Sequence, residues 1–394
     1  MTGTEVVVVD ACRSAIGKRK GSLKDVQAPD LLGDVLRGLI DRTGLDPALV
    51  GQLVVGCVSQ VGQQAANIAR NAWLGAGLPL EVGGSTVQAQ CGSSHQATTL
   101  AHALVGSGLI DIAVVGGIES MNQVPINASV DVPFGTGRGE RFREHYEVTT
   151  QFEGAERIAE QWNITRDDLD AYALLAQRRA AVAVAEGRFT GQIVPVSAPV
   201  TDDEGTVVGH KPFTMDEALR PTTLEGLAKL KTNMPDRPGG SRHTAGTSSQ
   251  FADGASAILL TSADRAQQLG LPARARLVHS VLVGCDPVTM LTGPIPSTRK
   301  LLAETGLTID DIDVFEVNEA FASVVLAWRK ELGADLDKVN PNGGAIPFGH
   351  PLGASGGILL TRALHELERT GGRYGLITMC CGGGLGTASL IERL

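Results

Sequence analysis

TGLDPALVGQLVVGC (residues 43–57) and TGLTIDDIDVFEVNE (residues 305–319) carry the reading of the fold. Each runs from a Thr-Gly-Leu helix end through a short acidic or apolar turn into a strand. A second pair follows in the same order: QCGSSHQATTLAHAL (90–104) and HPLGASGGILLTRAL (350–364) both open on small residues and enter a helix that ends in Ala-Leu. The identities are few, so chance stands as the alternative for either pair alone. Two pairs at a common offset of about 260 residues point to a duplicated α/β domain. Cys91 and His350 then hold equivalent turn-to-helix positions, and a pseudo-twofold axis would bring both helix starts to one site.

Outward from these segments, short Val/Ile-rich runs at 6–9, 53–58, 112–115, 257–260, 314–317 and 376–379 alternate with longer helical patterns. Such runs read as central strands covered on both faces, hence an α/β protein. Between 121 and 242 the pattern turns charged and Pro/Gly-punctuated, with one clear amphipathic helix at about 166–186 and few strand signals. It reads as an inserted loop domain. The expected organisation is a first half of 1–120 plus 243–268, the insertion at 121–242, and a second half at 269–394.

The 394 residues exceed one compact core at roughly 150 per domain. With 43% hydrophobic and 20% charged residues, the composition excludes intrinsic disorder. A net charge of −9 speaks against nucleic acid as a partner. The six cysteines at 12, 57, 91, 285, 380 and 381 include no CxxC and no Cys/His cluster at zinc spacing, so neither a metal site nor a disulfide framework is expected. MTGTEVVVVDACRS is no secretory signal, and no apolar stretch reaches the ~18 residues of a membrane span. A reduced, cytoplasmic setting is the expectation, in which cysteine chemistry is thiol chemistry.

Four blocks carry candidate chemistry. Cys91, in VQAQCGSSHQA, stands where small residues start a helix, a context that stabilises thiolate; the alternative is a buried small hydrophobe. His350 lies in GGAIPFGHPLGASGG, whose glycines allow close backbone approach; it is a base or oxyanion donor, or a satisfied His in a tight turn. Cys380 and Cys381 precede GGGLG, and adjacent residues of an extended chain face opposite ways, so at most one addresses a given site. That glycine run lacks the following βαβ unit of a dinucleotide fingerprint. In VNEAFAS, Asn318 either holds a water or carbonyl oxygen or caps the next helix, and Glu319 needs a partner in its apolar surround. HTAGTSSQFADGAS (243–256) is suited to packing under an extended ligand, or is a plain connection.

Taken together, QCGSS, VNEAFA, GGAIPFGHPLGASG and MCCGGG resemble the four active-site blocks of the thiolase family, in family order. TAGTSSQFADGAS and the opening DACRSAIGK resemble family motifs too, so the likeness spans the chain. The resemblance implies two βαβαβαββ halves in a five-layered αβαβα core with an inserted loop domain, in a homodimer or homotetramer. It implies CoA-dependent cleavage of a 3-oxoacyl-CoA, with acyl-CoA and CoA as the partners, CoA as co-substrate and no tightly bound cofactor. Cys91 would be the nucleophile, His350 its activator, Cys380 the second acid/base, and Asn318 the holder of an oxyanion-site water. The backbone of Cys91 and Gly382 would form the other oxyanion hole. Leu230, Met234, Ala245, Gly246, Ser249 and Phe321 match positions that line the pantetheine arm in relatives, and Arg220 is a candidate for the CoA phosphates.

Departures bear on the substrate. CGSSHQA stands where many relatives have CGSG, placing Ser94 and His95 near the expected acyl pocket. TTQFEG lacks the His-Met-Gly of short-chain biosynthetic thiolases, and the 121–155 loop is short. These features, with AQRRAAVAVAEGRF and SRHTAGTSSQ, look more like actinobacterial thiolases that degrade steroids, which implies a degradative enzyme for bulky acyl groups. The alternatives are a biosynthetic acetoacetyl-CoA thiolase, a β-ketoacyl synthase-like enzyme, against which Cys380 speaks, and a non-catalytic acyl-CoA or sterol carrier.

Overall fold

The computed structural model describes residues 4–130, 135–202, 204 and 206–394. The first three residues of the opening stretch and 131–134 of the 121–155 loop therefore lie outside the described residues.

The first half runs β1 (Val6–Arg13), β2 (Gly17–Lys18), α1 (Ala28–Thr43), β3 (Gln52–Gly56), α2 (Ile68–Gly75), β4 (Gly83–Val87), α3 (Ser93–Gly106) and β5 (Ile112–Ser120). The insertion follows with α4 (Glu140–His145), α5 (Gln151–Gln161), α6 (Arg166–Ala185), β6 (Val196–Thr201), β7 (Val207–Phe213) and α7 (Leu224–Ala228). The chain returns to the sheet as β8 (Ala252–Ser262) and leaves it through α8 (Ala263–Leu269). The second half is β9 (Ala275–Gly284), α9 (Pro294–Thr305), β10 (Val314–Val317), α10 (Ala322–Leu332), α11 (Ala345–Phe348), α12 (Ser355–Thr370), β11 (Tyr374–Cys381) and β12 (Leu385–Arg393).

Duplication is visible in the strand order. The halves read β4-β3-β5-β8-β1 and β10-β11-β12-β9, joined where β1 meets β9 antiparallel. A bridge from Phe315 to Val339 stands where β3 pairs with β4 in the first half. Both Thr-Gly-Leu segments end a helix on a left-handed glycine, Gly44 at φ 64° and Gly306 at φ 70°, as glycine's missing Cβ permits. Strand β3 after Gly44 and β10 after Gly306 sit at matching places in their sheets.

Helices α1 and α2 cover the outer face of the first sheet, α9 and α10 that of the second, and α3 and α12 pack between them, which gives the five layers. Alternation sorts the side chains of each strand: along β12, Ala388 and Leu390 join the outer core with Trp328, whereas Thr387 and Ser389 face α3. In the segment with few strand signals, Val196–Thr201 and Val207–Phe213 pair antiparallel as a two-stranded sheet, β6–β7. Strand β7 is largely exposed, so it lacks the apolar run that marks a buried strand.

Candidate active site

The two central helices set the site. Ser94 Oγ on α3 accepts from the Gly357 N–H of α12 at 3.0 Å, and a Cβ at Gly356 would stand 2.5 Å from the His95 backbone nitrogen. The first turns of both helices thus cross in contact, with Cys91 just before one and His350 just before the other.

Cys91 sits in a tight turn between β4 and α3. Gln90 takes a left-handed φ of 53°, and Ser93 Oγ accepts from the Ala89 N–H at 3.0 Å. Helix α3 begins two residues later, and burial outweighs its dipole: the thiol is pushed up to about 11 rather than lowered. The N–H groups of Gly382 and of Cys91 itself oppose that rise. This corrects the expectation of an activated thiolate at a helix start. Cys380 is fully buried and its thiol is likewise raised, first by burial and then by Cys91, with the nearby Asn318 amide opposing the rise.

His350 is buried, and desolvation lowers it to about 4, so the ring is neutral. Ser355 Oγ lies 2.6 Å from His350 Nδ1 and donates its own hydrogen to the Pro351 carbonyl at 2.9 Å. Nδ1 therefore carries the ring proton, and Nε2 presents its lone pair to Asn318 Nδ2 at 3.3 Å. Asn318 follows β10 and its amide lies between His350 and Cys380. It caps nothing: α10 starts only at Ala322, with Phe321 at the cap.

Glu319 finds the partners its burial demands. It accepts from Tyr172 Oη (2.7 Å), Asn340 Nδ2 (3.0 Å) and the Ile346 N–H (2.9 Å), which pins the segment leading to His350. Burial raises its pKa, and those bonds oppose the rise. A Cβ on Gly344 would fall 2.3 Å from Glu319 Cδ. Gly344→Ala is therefore expected to lose about 1–3 kcal/mol of stability and at least tenfold in kcat, measured by thermal unfolding and steady-state rates.

Sequence reasoning missed Ser355, Tyr172, Asn340 and Glu119. Glu119 accepts from the N–H groups of Val58, Ser59 and Gly353, so it ties the loop after β3 to the turn before α12. The signal for Ser355 was its place five residues after His350; nothing local marks Tyr172, which comes from the insertion.

The expected pantetheine wall assembles in part. Gly246 packs against Leu227 and Leu230, the Ser249 N–H donates to the Ala320 carbonyl at 3.0 Å, and Ser248 bridges Phe321. Phe321 is buried edge-on to Phe152 and His243. Bonds from Asn233 to His243 and between Thr232 and Thr244 bring 230–234, with Met234, alongside exposed Ala245. Arg220 is exposed, with its carbonyl accepting from Thr222.

Cys380 joins the cluster of Val317 and Phe321 whereas Cys381 joins that of Cys91 and Met379, so adjacent cysteines do face opposite ways. Ser94 and His95, however, are fully buried and bonded inside the core, so they line no acyl pocket. Among the described residues no His/Cys/Asp/Glu group of metal-binding geometry occurs, and no helix is long and apolar enough to cross a membrane.

A duplicated α/β core that gathers two thiols, a neutral imidazole whose Nε2 accepts from a carboxamide, and a glycine N–H near paired helix starts defines an acyl-transferring thiol enzyme. Residues 6–264 match the thiolase N-terminal domain and residues 271–393 the thiolase C-terminal domain. The chain belongs to the thiolase family: it is an acyltransferase that takes CoA as co-substrate. It is 47% identical to the steroid 3-ketoacyl-CoA thiolase FadA6 of Mycobacterium tuberculosis, over 99% of this chain and 95% of that one. It is 42% identical to a β-ketoadipyl-CoA thiolase of Pseudomonas aeruginosa, over 99% of both chains. Among solved structures, the Bacillus anthracis acetyl-CoA acetyltransferase superposes over 100% of both chains with a TM-score of 0.88 at 34% identity. Human mitochondrial 3-ketoacyl-CoA thiolase gives the same score and identity over 99% of both chains.

Proposed function

We propose that this thiolase is degradative and cleaves a bulky, steroid-derived or long-chain 3-oxoacyl-CoA, using the residues gathered around Cys91. The observation that carries the substrate class is the full-length likeness to a steroid 3-ketoacyl-CoA thiolase. The roles follow from chemistry. His350 Nε2 takes the Cys91 proton, and the thiolate attacks the 3-keto carbon while N–H donors hold the developing oxyanion. The C2–C3 bond breaks, its electron pair leaving with acetyl-CoA as the enolate, and Cys380 protonates C2. The incoming CoA thiol then gives its proton to Cys380. Its sulfur attacks the acyl-Cys91 thioester, releasing the shortened acyl-CoA and returning the Cys91 sulfur, which recovers its proton from His350.

The wall of Leu230, Met234, Ala245, Gly246, Ser249 and Phe321 would carry the pantetheine arm, and exposed Arg220 the phosphates. The functional units are the two halves, 1–120 with 243–268 and 269–394, with 121–242 inserted. A homodimer or homotetramer in the cytoplasm completes the reading, supported by the unpaired outer edge of β4 among the described residues.

The substrate test compares kcat/KM on a steroid-derived 3-oxoacyl-CoA, a long-chain one and acetoacetyl-CoA. The expected order places a bulky substrate at least tenfold above acetoacetyl-CoA. Cleavage of acetoacetyl-CoA alone would favour the biosynthetic alternative.

A further inference from the structure

His95 is a buried titratable side chain close to the nucleophile that the reaction leaves unused. It lies four residues after Cys91, in the first turn of α3, and is fully buried. Its two ring nitrogens are both engaged across the halves of the molecule: Nδ1 with Thr387 Oγ1 at 2.9 Å and Nε2 with Ser389 Oγ at 2.5 Å. Thr387 and Ser389 are alternate residues of β12, so both hydroxyls face the central helices. Ser389 Oγ lies 2.8 Å from Ser280 Oγ on β9, which fixes its side chain in turn.

Strand β12 is the return arm of the hairpin that carries Cys380 and Gly382. Thr387 lies opposite Met379, and Gly386 opposite Cys380. The same side chain touches the base of the nucleophile turn, because a Cβ on Gly92 would meet Cys381 Sγ at 2.7 Å and Thr387 Cγ2 at 2.9 Å. Desolvation lowers His95 to about 4, so the ring is neutral and offers one donor and one acceptor to two hydroxyls that can supply either. A hydrophobic residue would leave the Thr387 hydroxyl without its partner, and a charged one would be desolvated without a counterion.

We propose that His95 is a positioning residue that fixes the Cys91 turn on the β11–β12 hairpin, and so sets the distance from the nucleophile to Cys380 and to the Gly382 N–H. The inference rests on the reading of Cys91 and Cys380 as the reacting thiols. Those groups come from opposite halves of the chain, and the imidazole is a direct side-chain tie between their supporting elements.

The test uses the full-length enzyme and a 3-oxoacyl-CoA that the parent cleaves. His95→Leu is expected to lower kcat by about 10- to 100-fold with KM for CoA within about threefold. His95→Asn, which retains a group to meet Thr387, is expected to recover part of that loss, and Thr387→Val to lower kcat several-fold. Adding Thr387→Val to His95→Leu is expected to cost little more, since the two act through one bond. Parental kcat in a folded His95→Leu enzyme, equal losses in the Leu and Asn variants, or additive losses in the double variant would overturn the proposal. Should His95→Leu fail to fold, Thr387→Val decides alone, and an unchanged kcat overturns it. Cys91→Ser separates the two levels: if it retains cleavage, the reading of the site fails, whereas an inactive Cys91→Ser beside fully active His95 and Thr387 variants removes only this inference.

Discussion

Replacing Cys91 by serine is expected to lower thiolytic kcat by about 10⁴-fold or more, with the fold and CoA binding retained. The side chain is close in size and the turn around it is held by Ser93 and the backbone, so packing survives the change. What disappears is the proposed nucleophile. A serine hydroxyl in the same buried turn is far harder to ionise than the thiol, and the neutral His350 is too weak a base to compensate. Calorimetric CoA binding beside steady-state thiolysis separates chemistry from carriage; a variant as active as the parent would refute the nucleophile assignment. Because burial pushes the free thiol up to about 11, alkylation of Cys91 by iodoacetamide is expected to accelerate steadily from pH 7 to 10, with protection by acyl-CoA.

His350→Ala is expected to be the second most damaging change, at about 10²- to 10⁴-fold in kcat. Its neutral imidazole is held by Ser355 at Nδ1 and by Asn318 at Nε2, which fixes the orientation of the ring beside the candidate reacting groups. The loss should fall on kcat, since the His350 ring bonds Asn318 and Ser355 rather than residues of the proposed CoA wall. Its burial also keeps it neutral down to about pH 4, so the parent's kcat should lack an inflection near the ordinary imidazole value of ~6.5. A loss below fivefold in a folded His350→Ala enzyme would reassign the base.

Much of the architecture was legible because duplication prints twice. Gly44 and Gly306 end equivalent helices, and the residues after them form β3 and β10. The four candidate blocks stand out in the sequence because each couples a chemically capable side chain to small residues that let backbone crowd around it. What escaped was long-range. Tyr172 reaches Glu319 from 147 positions away, and Glu119 meets Gly353 across 234. No local pattern encodes such pairs. The hairpin β6–β7 escaped because its exposed strand lacks apolar alternation.

The two misread features share one physical cause. A thiol beside a helix start suggests a lowered pKa, and Ser94 and His95 beside Cys91 suggest a pocket lining. Both inferences assume access to solvent or ligand. The crossing of α3 and α12 instead buries Cys91 through His95, so desolvation raises the Cys91 thiol, and the two polar side chains become internal ties between halves. Sequence records which groups are present, whereas the depth at which they lie depends on the packing of both halves.

The central claim is that the acyl group passes through the Cys91 sulfur. Rapid acid quenching of the enzyme with a 3-oxoacyl-CoA in the absence of free CoA, followed by peptide mass mapping, tests it most directly. The expected result is the mass of the shortened acyl group on the peptide carrying Cys91, absent in Cys91→Ser and discharged by added CoA. An acyl mass confined to Cys285, Cys380 or Cys381, or turnover with no acyl enzyme at any time point, would contradict it.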